Sequence, residues 1–485
     1  IQLPEIQSLY RKYGWFTIIL VLFILAKLPA MQLPYFWDEL GVYSRAGLYL
    51  HDNGLGLLPK NLPPELSRGH PLLFSFIHGC GYFIFGDGVV GGHITGLIIA
   101  LFLLLSIYKI AYHHFDQKTA LLSVMLVIVQ PVFFAQSILV LPEICLALFM
   151  LWAIHYWSIR KYGWYALMST AAILIKETAI IIPVVVITAS IINWLVQRPK
   201  KSSGFQWKQL LVVTPFLIFG LFLIIQRQQN GWYLFPLHGE NVDFKIKKII
   251  EFGIDFMSFT FIEQGRLVLL AAGLVIAIIL LYKKLWHYHN FTTYLIMLFV
   301  GGILFSSLNF FMNRYLVFAI IPLIIVFAHL LITAVATYRW LYVFVPLVFF
   351  AGMISMYGYE LYPVSDETMS MEAKFHYDED MSYIYFLDAQ IEAVNFVNER
   401  ANNTTQFFVN FPMVFAFNEP RFGFPVSKTK TIIQVKTKQK GFEYAIISNP
   451  GSYDFKLPEG DSLRLVKMIK NEVVEIPIYE PNFEW

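Results

Sequence analysis

The chain has 485 residues, of which 57% are hydrophobic and only 14% are charged. Soluble globular proteins are about a quarter charged, so this composition excludes an ordinary soluble domain and predicts a protein of the lipid bilayer. The net charge of +3 is too small to indicate binding to nucleic acid. The two cysteines, Cys80 and Cys145, predict neither a disulfide framework nor a thiolate metal site.

Apolar runs long enough to cross a membrane recur along the chain. A spanning helix needs about 20 mostly apolar residues, and about eleven segments meet this criterion. They cover residues 14–31, 89–111, 119–136, 138–158, 163–180, 181–197, 209–227, 266–283, 291–309, 315–336 and 340–357. The first run lacks a convincing cleavage site, which predicts an uncleaved helix rather than a signal peptide.

The basic residues between these segments predict their orientation. With the N-terminus in the cytoplasm, the basic residues fall in short cytoplasmic connections, as the positive-inside rule requires. They are Arg11, Lys12, Lys109, Lys118, Arg160, Lys161, Arg198, Lys200, Lys201, Lys283, Lys284 and Arg339. The sequence therefore predicts a multi-pass protein of the inner (plasma) membrane, with its N-terminus cytoplasmic and its C-terminus extracytoplasmic.

Three long segments lie outside the membrane in this topology. The first outer loop, residues 31–88, is rich in aromatic residues, Gly and Pro, and its Pro71–Phe85 part predicts a helix in or near the interface. The second outer loop runs over about residues 228–264. The third outer segment is the C-terminal tail.

Hydropathy falls in the tail, which divides the chain into two predicted domains. Residues 1–357 form the transmembrane domain, and residues 358–485 form a small α/β extracytoplasmic domain. Within the tail, Tyr385–Arg400 has the apolar spacing of an amphipathic helix. The predicted strands are Gln406–Asn410, Glu443–Ser448 and Ser462–Ile478.

Charged residues in or beside membrane helices cost about 3 kcal/mol each, so each one suggests a function. Five such groups lie on the outer side in the predicted topology. They are Asp38 with Glu39, Arg68 with His70, Glu143, Lys176 with Glu177, and Arg314 followed by Tyr315. Cations can hold an anionic phosphate leaving group, and a carboxylate can take the proton of an attacking hydroxyl. The convergence predicts a site for a phosphorylated lipid substrate.

Each group also has a structural alternative. Asp38 and its neighbour could simply begin a loop, and Lys176 with its neighbour could be a salt-paired or snorkelling helix end. Arg314 could anchor its helix at the lipid headgroups, and His70 could shape a turn. Their common position on one face of the membrane favours the functional interpretation.

The order of these motifs resembles the GT-C superfamily of membrane glycosyltransferases. The similar elements are Asp38-Glu39 after the first helix, Arg68-Gly-His-Pro71, Glu143, Lys176 and Arg314-Tyr315. Within GT-C, the branch that contains protein O-mannosyltransferases and lipid A aminoarabinose transferases (family 39-like) is most similar, over about residues 10–340. The resemblance implies an all-α polytopic membrane fold.

The resemblance also implies a reaction. It would be inverting transfer of a sugar from a polyprenyl-phosphate carrier to a lipid, glycan or protein acceptor on the extracytoplasmic face. No cofactor is implied, except that a weak dependence on a divalent metal ion stays open. Asp38 would be the base with Glu39 beside it, and Glu143 would be the second acidic residue. The implied substrate-binding residues are Arg68, His70, Lys176, Glu177, Arg314 and Tyr315, with Lys176 and Arg314 on the carrier phosphate.

The chain departs from both branches at identifiable positions. His70 and a single Pro71 stand where aminoarabinose transferases have Lys and two prolines, and the tail shows no counterpart of the β-trefoil module of eukaryotic protein O-mannosyltransferases. The sugar and the acceptor therefore stay open. A ligase or polymerase of polyprenyl-diphosphate glycans, and a transporter or flippase of lipid-linked substrates, are the alternatives.

Overall fold

In the computed structural model the protein is mostly helical, as predicted. The structure describes residues 3–197, 206–236, 245–285, 288–307, 313–357, 379–400, 407–417, 419–425, 443–447, 463–470 and 475–481. The predicted cytoplasmic cluster Arg198, Lys200 and Lys201 lies outside these ranges. The predicted domain boundary after residue 357 falls where one of the described ranges ends.

Seventeen α-helices are described over these ranges. The first six are α1 (Leu3–Lys27), α2 (Ser44–Asn53), α3 (Pro64–Ser67), α4 (Leu73–Phe85), α5 (Val89–His114) and α6 (Gln117–Ile128). The next six are α7 (Pro131–Gln136), α8 (Pro142–Ser158), α9 (Tyr162–Ile175), α10 (Ile181–Gln197), α11 (Thr214–Asn230) and α12 (Ile246–Phe261). The last five are α13 (Arg266–Tyr282), α14 (Asn290–Ser307), α15 (Val317–Val335), α16 (Phe344–Ser355) and α17 (Tyr383–Arg400).

Many of these helices are apolar enough to cross a membrane. By length and composition, six described stretches qualify, or seven if the bent pair of α12 and α13 counts as one span. The six are Tyr13–Gln32, Val89–His114, Glu177–Val196, Trp207–Asn230, Asn290–Ser307 and Val317–Val335. Four shorter apolar helices accompany them: Leu73–Phe85, Gln117–Ile128, Tyr162–Ile175 and Arg339–Ser355. The protein is therefore a multi-pass membrane protein, and its sidedness stays a prediction.

Helix lies in every segment that the sequence predicts to span, but prolines break some of these segments. The predicted span 119–136 divides into α6 and α7 at Pro131, and the predicted span 138–158 becomes helical only from Pro142. Proline lacks the N–H that continues a helix but is well suited to its first turn. The total of about eleven spans exceeds the six or seven that pass the length test partly for this reason.

Helix α12 has one buried face and one exposed apolar face. Phe256 and Phe259 are buried, and the helix packs against α14. Ile250 and Ile254, with Ile246 and Met257 in the same stripe, are exposed, although they are apolar. Since α12 meets α13 at 82°, it lies along the membrane surface if α13 crosses the bilayer, which is the geometry of an interfacial helix.

The predicted interfacial helix of the first outer loop is α4. It packs against α2 and α5 rather than standing alone. Gly81 permits the approach to α5, because a Cβ at that position would lie 2.0 Å from the Thr95 Oγ1. The loop is thus a folded unit on the transmembrane helices.

The tail combines α17 with a four-stranded sheet in the order β1-β2-β4-β3. The strands are β1 (Phe407–Val409), β2 (Tyr444–Ile446), β3 (Leu463–Lys470) and β4 (Glu475–Pro481). β1 and β2 are parallel, and the other two pairings are antiparallel. The predicted helix and the first two predicted strands are present. The third predicted strand, Ser462–Ile478, is wrong as a single strand, because its two parts pair with each other as β3 and β4.

The tail packs directly on the first outer loop. The Tyr35 backbone N–H donates to the Phe422 carbonyl at 3.0 Å. Arg421 binds Asp52 of α2 at 2.9 Å and Asp87 at 3.3 Å. The hydrogen bond from Arg421 lowers the pKa of the Asp52 carboxyl, so this contact is an ionised pair at neutral pH. One face of the predicted catalytic loop is therefore covered by the tail.

Candidate active site

Asp38 meets Arg314 across the fold. Asp38 precedes a π-helical turn, Glu39–Tyr43, and Trp37 before it has a φ of 46°, a left-handed conformation that non-glycine residues rarely adopt. Arg314 lies in the 3₁₀ turn Asn313–Leu316 that opens α15. The guanidinium forms an ion pair with the Asp38 carboxylate, and their side chains are 1% and 17% exposed.

Glu143 and Lys176 form a second ion pair beside the first. Glu143 is in the first turn of α8, and Lys176 lies in extended backbone between α9 and the next helical turn. The Lys176 Nζ is 2.9 Å from the Glu143 Oε1, and the Arg314 Nε is 3.9 Å from the same oxygen. Asp38, Glu143, Lys176 and Arg314 thus form one charge cluster, which balances two carboxylates against two cations. The ring of Tyr315 lies 3.7 Å from the Lys176 Nζ.

The remaining predicted residues surround this cluster. The His70 Nδ1 is 3.0 Å from the Glu177 Oε2, which joins the first outer loop to the 3₁₀ turn Glu177–Ile180 before α10. Arg68 ends α3 in a left-handed conformation, with a φ of 46°. Its guanidinium lies 5.4 Å from the ring centroid of Phe411, a residue of the tail.

The charges around Asp38 keep its carboxyl ionised. Burial alone would raise the pKa of Asp38, but the charge and hydrogen bond of Arg314 outweigh that effect, and Arg68 and Lys176 act in the same direction. The pKa of Asp38 therefore lies below its ordinary value. A carboxylate in this state can accept a proton from a bound hydroxyl.

Glu39 has a different set of contacts from Asp38. Its carboxylate accepts hydrogen bonds from the backbone N–H groups of Phe36 at 3.2 Å and Val140 at 2.7 Å, and it lies 3.2 Å from the His93 Nε2. It is fully buried. Among the described residues the ionisable side chain in contact with it is His93, not a cation of the charge cluster. These contacts join the first outer loop to α5 and to the segment before α8.

Replacing Glu39 with Ala should therefore destabilise the protein. Each backbone N–H left buried without an acceptor costs about 1–3 kcal/mol, and Glu39 serves two. We expect a clear fall in the apparent Tm of purified protein in detergent. The exposed Glu65→Ala is the matched control, for which little change is expected. Equal Tm values for Glu39→Ala and the wild type would contradict this stabilising role of Glu39.

Comparison with known proteins tests the fold. A family model described as dolichyl-phosphate-mannose-protein mannosyltransferase matches residues 69–225. ArnT from Cupriavidus metallidurans bound to undecaprenyl phosphate superposes with a TM-score of 0.54 at 12% identity, over 96% of this chain and 98% of that chain. The apo state of that protein gives a TM-score of 0.56 at 12% identity, over 96% and 97%. This chain has the GT-C fold.

The predicted resemblance to GT-C membrane glycosyltransferases is thereby confirmed for the fold. The apo oligosaccharyltransferase of Archaeoglobus fulgidus aligns with a TM-score of 0.44 at 12% identity, over 84% of this chain and 64% of that chain. A search of curated protein sequences gives no match.

The candidate site contains contacts that sequence reasoning missed. The ring of Tyr43 stacks on His70 with centroids 6.4 Å apart, and Phe411 packs against Trp37 at 6.2 Å. Phe411 belongs to the tail, where no motif marked it. Over the described ranges, no three His, Cys, Asp or Glu side chains are arranged to hold a metal ion.

Proposed function

We propose that this protein is a membrane glycosyltransferase that moves a sugar from a polyprenyl-phosphate carrier to an acceptor on the extracytoplasmic face. The observation that carries the proposal is the charge cluster, in which Asp38 and Glu143 contact the buried cations Arg314 and Lys176. The GT-C fold and the family match over residues 69–225 support it. The likeness to a protein bound to undecaprenyl phosphate favours a polyprenyl-phosphate carrier.

The two cations suit the carrier phosphate. Arg314 is 1% exposed and the Lys176 side chain is 8% exposed, so water screens neither charge well. Guanidinium and ammonium groups bind phosphate through short, charge-assisted hydrogen bonds. The carrier phosphate would take over the contacts that the carboxylates now make. Release of Asp38 from Arg314 would then leave its carboxylate facing the acceptor.

The proposed reaction is a single displacement. Asp38 takes the proton of the acceptor hydroxyl as the oxygen attacks the anomeric carbon on the side opposite the phosphate. The bond between the anomeric carbon and the phosphate oxygen breaks, and the configuration inverts. The phosphate leaves with its carrier, and Arg314 and Lys176 stabilise the charge that develops on it.

Glu143 is placed to orient a substrate. Its Oε1 faces Lys176, but its Oε2 is buried without a hydrogen-bond partner. Buried polar atoms are nearly always paired, so a hydroxyl of the sugar or of the acceptor would satisfy this oxygen.

Helix α12 gives the carrier a route to the site. Its exposed stripe, which includes Ile250 and Ile254, is apolar, and the helix adjoins the 3₁₀ turn that carries Arg314. A polyprenyl chain lying along this stripe would stay in an apolar environment with its phosphate near the charge cluster.

The direct test is donor consumption. Purified protein in detergent is incubated with a panel of radiolabelled polyprenyl-phosphate sugars and a membrane extract, and both release of free carrier phosphate and transfer of label are measured. Consumption of one donor would support the proposal and identify the sugar. If folded protein consumes none, the ligases of diphosphate-linked glycans and the transporters become the better explanations.

Replacing Lys176 with Ala should weaken donor binding. Loss of one charge-assisted hydrogen bond of about 1.5–3 kcal/mol corresponds to a rise of about tenfold or more in the apparent KM for the donor. Lys176→Arg, which keeps the charge, should show a smaller rise. Steady-state kinetics with varied donor would measure both, and an unchanged KM in Lys176→Ala would exclude the phosphate contact.

A further inference from the structure

Two arginines of the first outer loop lie against a pair of phenylalanines from the tail. The Arg45 guanidinium is 3.7 Å from the ring centroid of Phe415, and the Arg68 guanidinium is 5.4 Å from that of Phe411. The two rings are 6.0 Å apart and nearly perpendicular. We name these four residues the arginine–phenylalanine array.

Packing and a hydrogen bond within the fold hold the array in position. Gly41 leaves the space that Phe411 fills, since a Cβ on Gly41 would lie 2.4 Å from the Phe411 Cζ. Arg45 donates to the Gly41 carbonyl at 3.1 Å, which fixes its side chain beside Phe415. Cation–π contacts of this kind hold guanidinium groups in place without neutralising their charge.

The two arginines of the array lie outside the ion pairs of the described residues, although the charge of Arg68 acts on the Asp38 carboxyl. Over the part of the chain that the structure describes, no carboxylate forms an ion pair with Arg45 or Arg68. Burial, and then the charge of Arg68, lower the pKa of Arg45 to about 10, so the two cations repel each other. The charge cluster is different, because each of its cations already contacts a carboxylate. An anion placed between Arg45 and Arg68 would remove this repulsion.

The array adjoins the proposed base. The charge of Arg68 acts on the Asp38 carboxyl, and Trp37, the residue directly before Asp38, packs edge-on against Phe411 at 6.2 Å. A group bound at the array would therefore lie on the same side of the candidate site as Asp38.

We propose that the arginine–phenylalanine array binds an anionic group of the acceptor, a phosphate, and so presents a neighbouring acceptor hydroxyl to Asp38. This inference rests on the proposed function and specifies its acceptor class. Two guanidinium groups offer phosphate oxygens several N–H donors in fixed geometry. The donor phosphate has its own cations in Arg314 and Lys176.

Binding of inorganic phosphate tests the array. Full-length protein in detergent is first saturated with undecaprenyl phosphate, which occupies the proposed carrier site, and binding of radiolabelled phosphate is then measured by equilibrium dialysis. We expect the wild type to bind phosphate under these conditions. Arg45→Gln and Arg68→Gln should each weaken that binding about tenfold or more, and Arg45→Lys should weaken it less.

Two controls make the result specific. Affinity for undecaprenyl phosphate should be unchanged in Arg45→Gln, which also shows that this variant is folded. Arg464→Gln, which removes an arginine of β3 that is paired with Glu480, should bind phosphate like the wild type.

Three outcomes would overturn the inference. They are no binding of phosphate by the carrier-saturated wild type, phosphate binding that is unchanged in both glutamine variants, and an equal loss of affinity for undecaprenyl phosphate in those variants. The last outcome would assign the array to the carrier. Failure of undecaprenyl phosphate to bind the wild type would instead count against the proposed function. The dependence of phosphate binding on Arg45 would still test whether the array binds phosphate.

Discussion

Replacing Asp38 with Asn should reduce sugar transfer by about 10²–10⁴-fold, the usual effect of losing a positioned general base. Asn keeps the shape of the side chain and can still accept a hydrogen bond from Arg314, but it cannot take a proton. Because the Asp38 side chain is 17% exposed and Glu143 also faces Arg314, we expect only a modest effect on the apparent Tm. Initial rates of label transfer from the donor found in the panel would measure the effect.

The control for this variant is Asp388→Asn, which changes an exposed aspartate of α17 and should keep full activity. Binding of undecaprenyl phosphate should persist in Asp38→Asn, because the proposed carrier contacts are Arg314 and Lys176. A variant that binds the carrier and transfers sugar at nearly the normal rate would show that Asp38 is not the base.

The individual members of the charge cluster could be predicted from the sequence because charged residues are uncommon in or beside apolar membrane segments. Lys176 interrupts an apolar run, and Arg314 opens a long apolar helix on the side that the positive-inside rule leaves poor in cations. The predicted topology placed both on the same face as Asp38 and Glu143. The contacts among the four agree with that placement.

The pairing within the cluster could not be predicted. Asp38 and Arg314 are 276 positions apart, and hydropathy contains no information about which acid meets which cation. Glu39 illustrates the same limit. Its position directly after Asp38 suggests a catalytic role, whereas in the structure its carboxylate contacts two backbone N–H groups and His93.

The arginine–phenylalanine array was harder still to predict. Arg45 lies in a loop helix of mixed polarity where a positive charge is ordinary, and Phe411 and Phe415 belong to a tail that resembled no family. Their relation arises only because the tail packs on the first outer loop, through contacts such as that between Tyr35 and Phe422. Sequence patterns describe local preferences, whereas contacts between the first outer loop and the tail depend on how these distant segments pack together.

Replacing Glu143 with Ala should cause the largest loss of stability of the substitutions considered. The Glu143 side chain is 1% exposed and faces Lys176 at 2.9 Å, so Ala would leave a buried ammonium without its counter-ion. Removal of one partner of a buried ion pair costs about 3–5 kcal/mol. We expect a large fall in the apparent Tm and faster proteolysis of the purified protein in detergent.

The double variant Glu143→Leu with Lys176→Met separates the charge effect from simple loss of packing. Replacing both partners of a buried ion pair by apolar residues of similar volume is often neutral or stabilising, so the double variant should regain most of the Tm that Glu143→Ala loses. It should nevertheless be inactive, because it lacks the proposed phosphate contact and the unpaired Glu143 Oε2. Such a result would show that the pair is kept for the reaction rather than for the fold. A double variant as unstable as Glu143→Ala would mean instead that the shape of these side chains, and not their charge, holds α8 to α9.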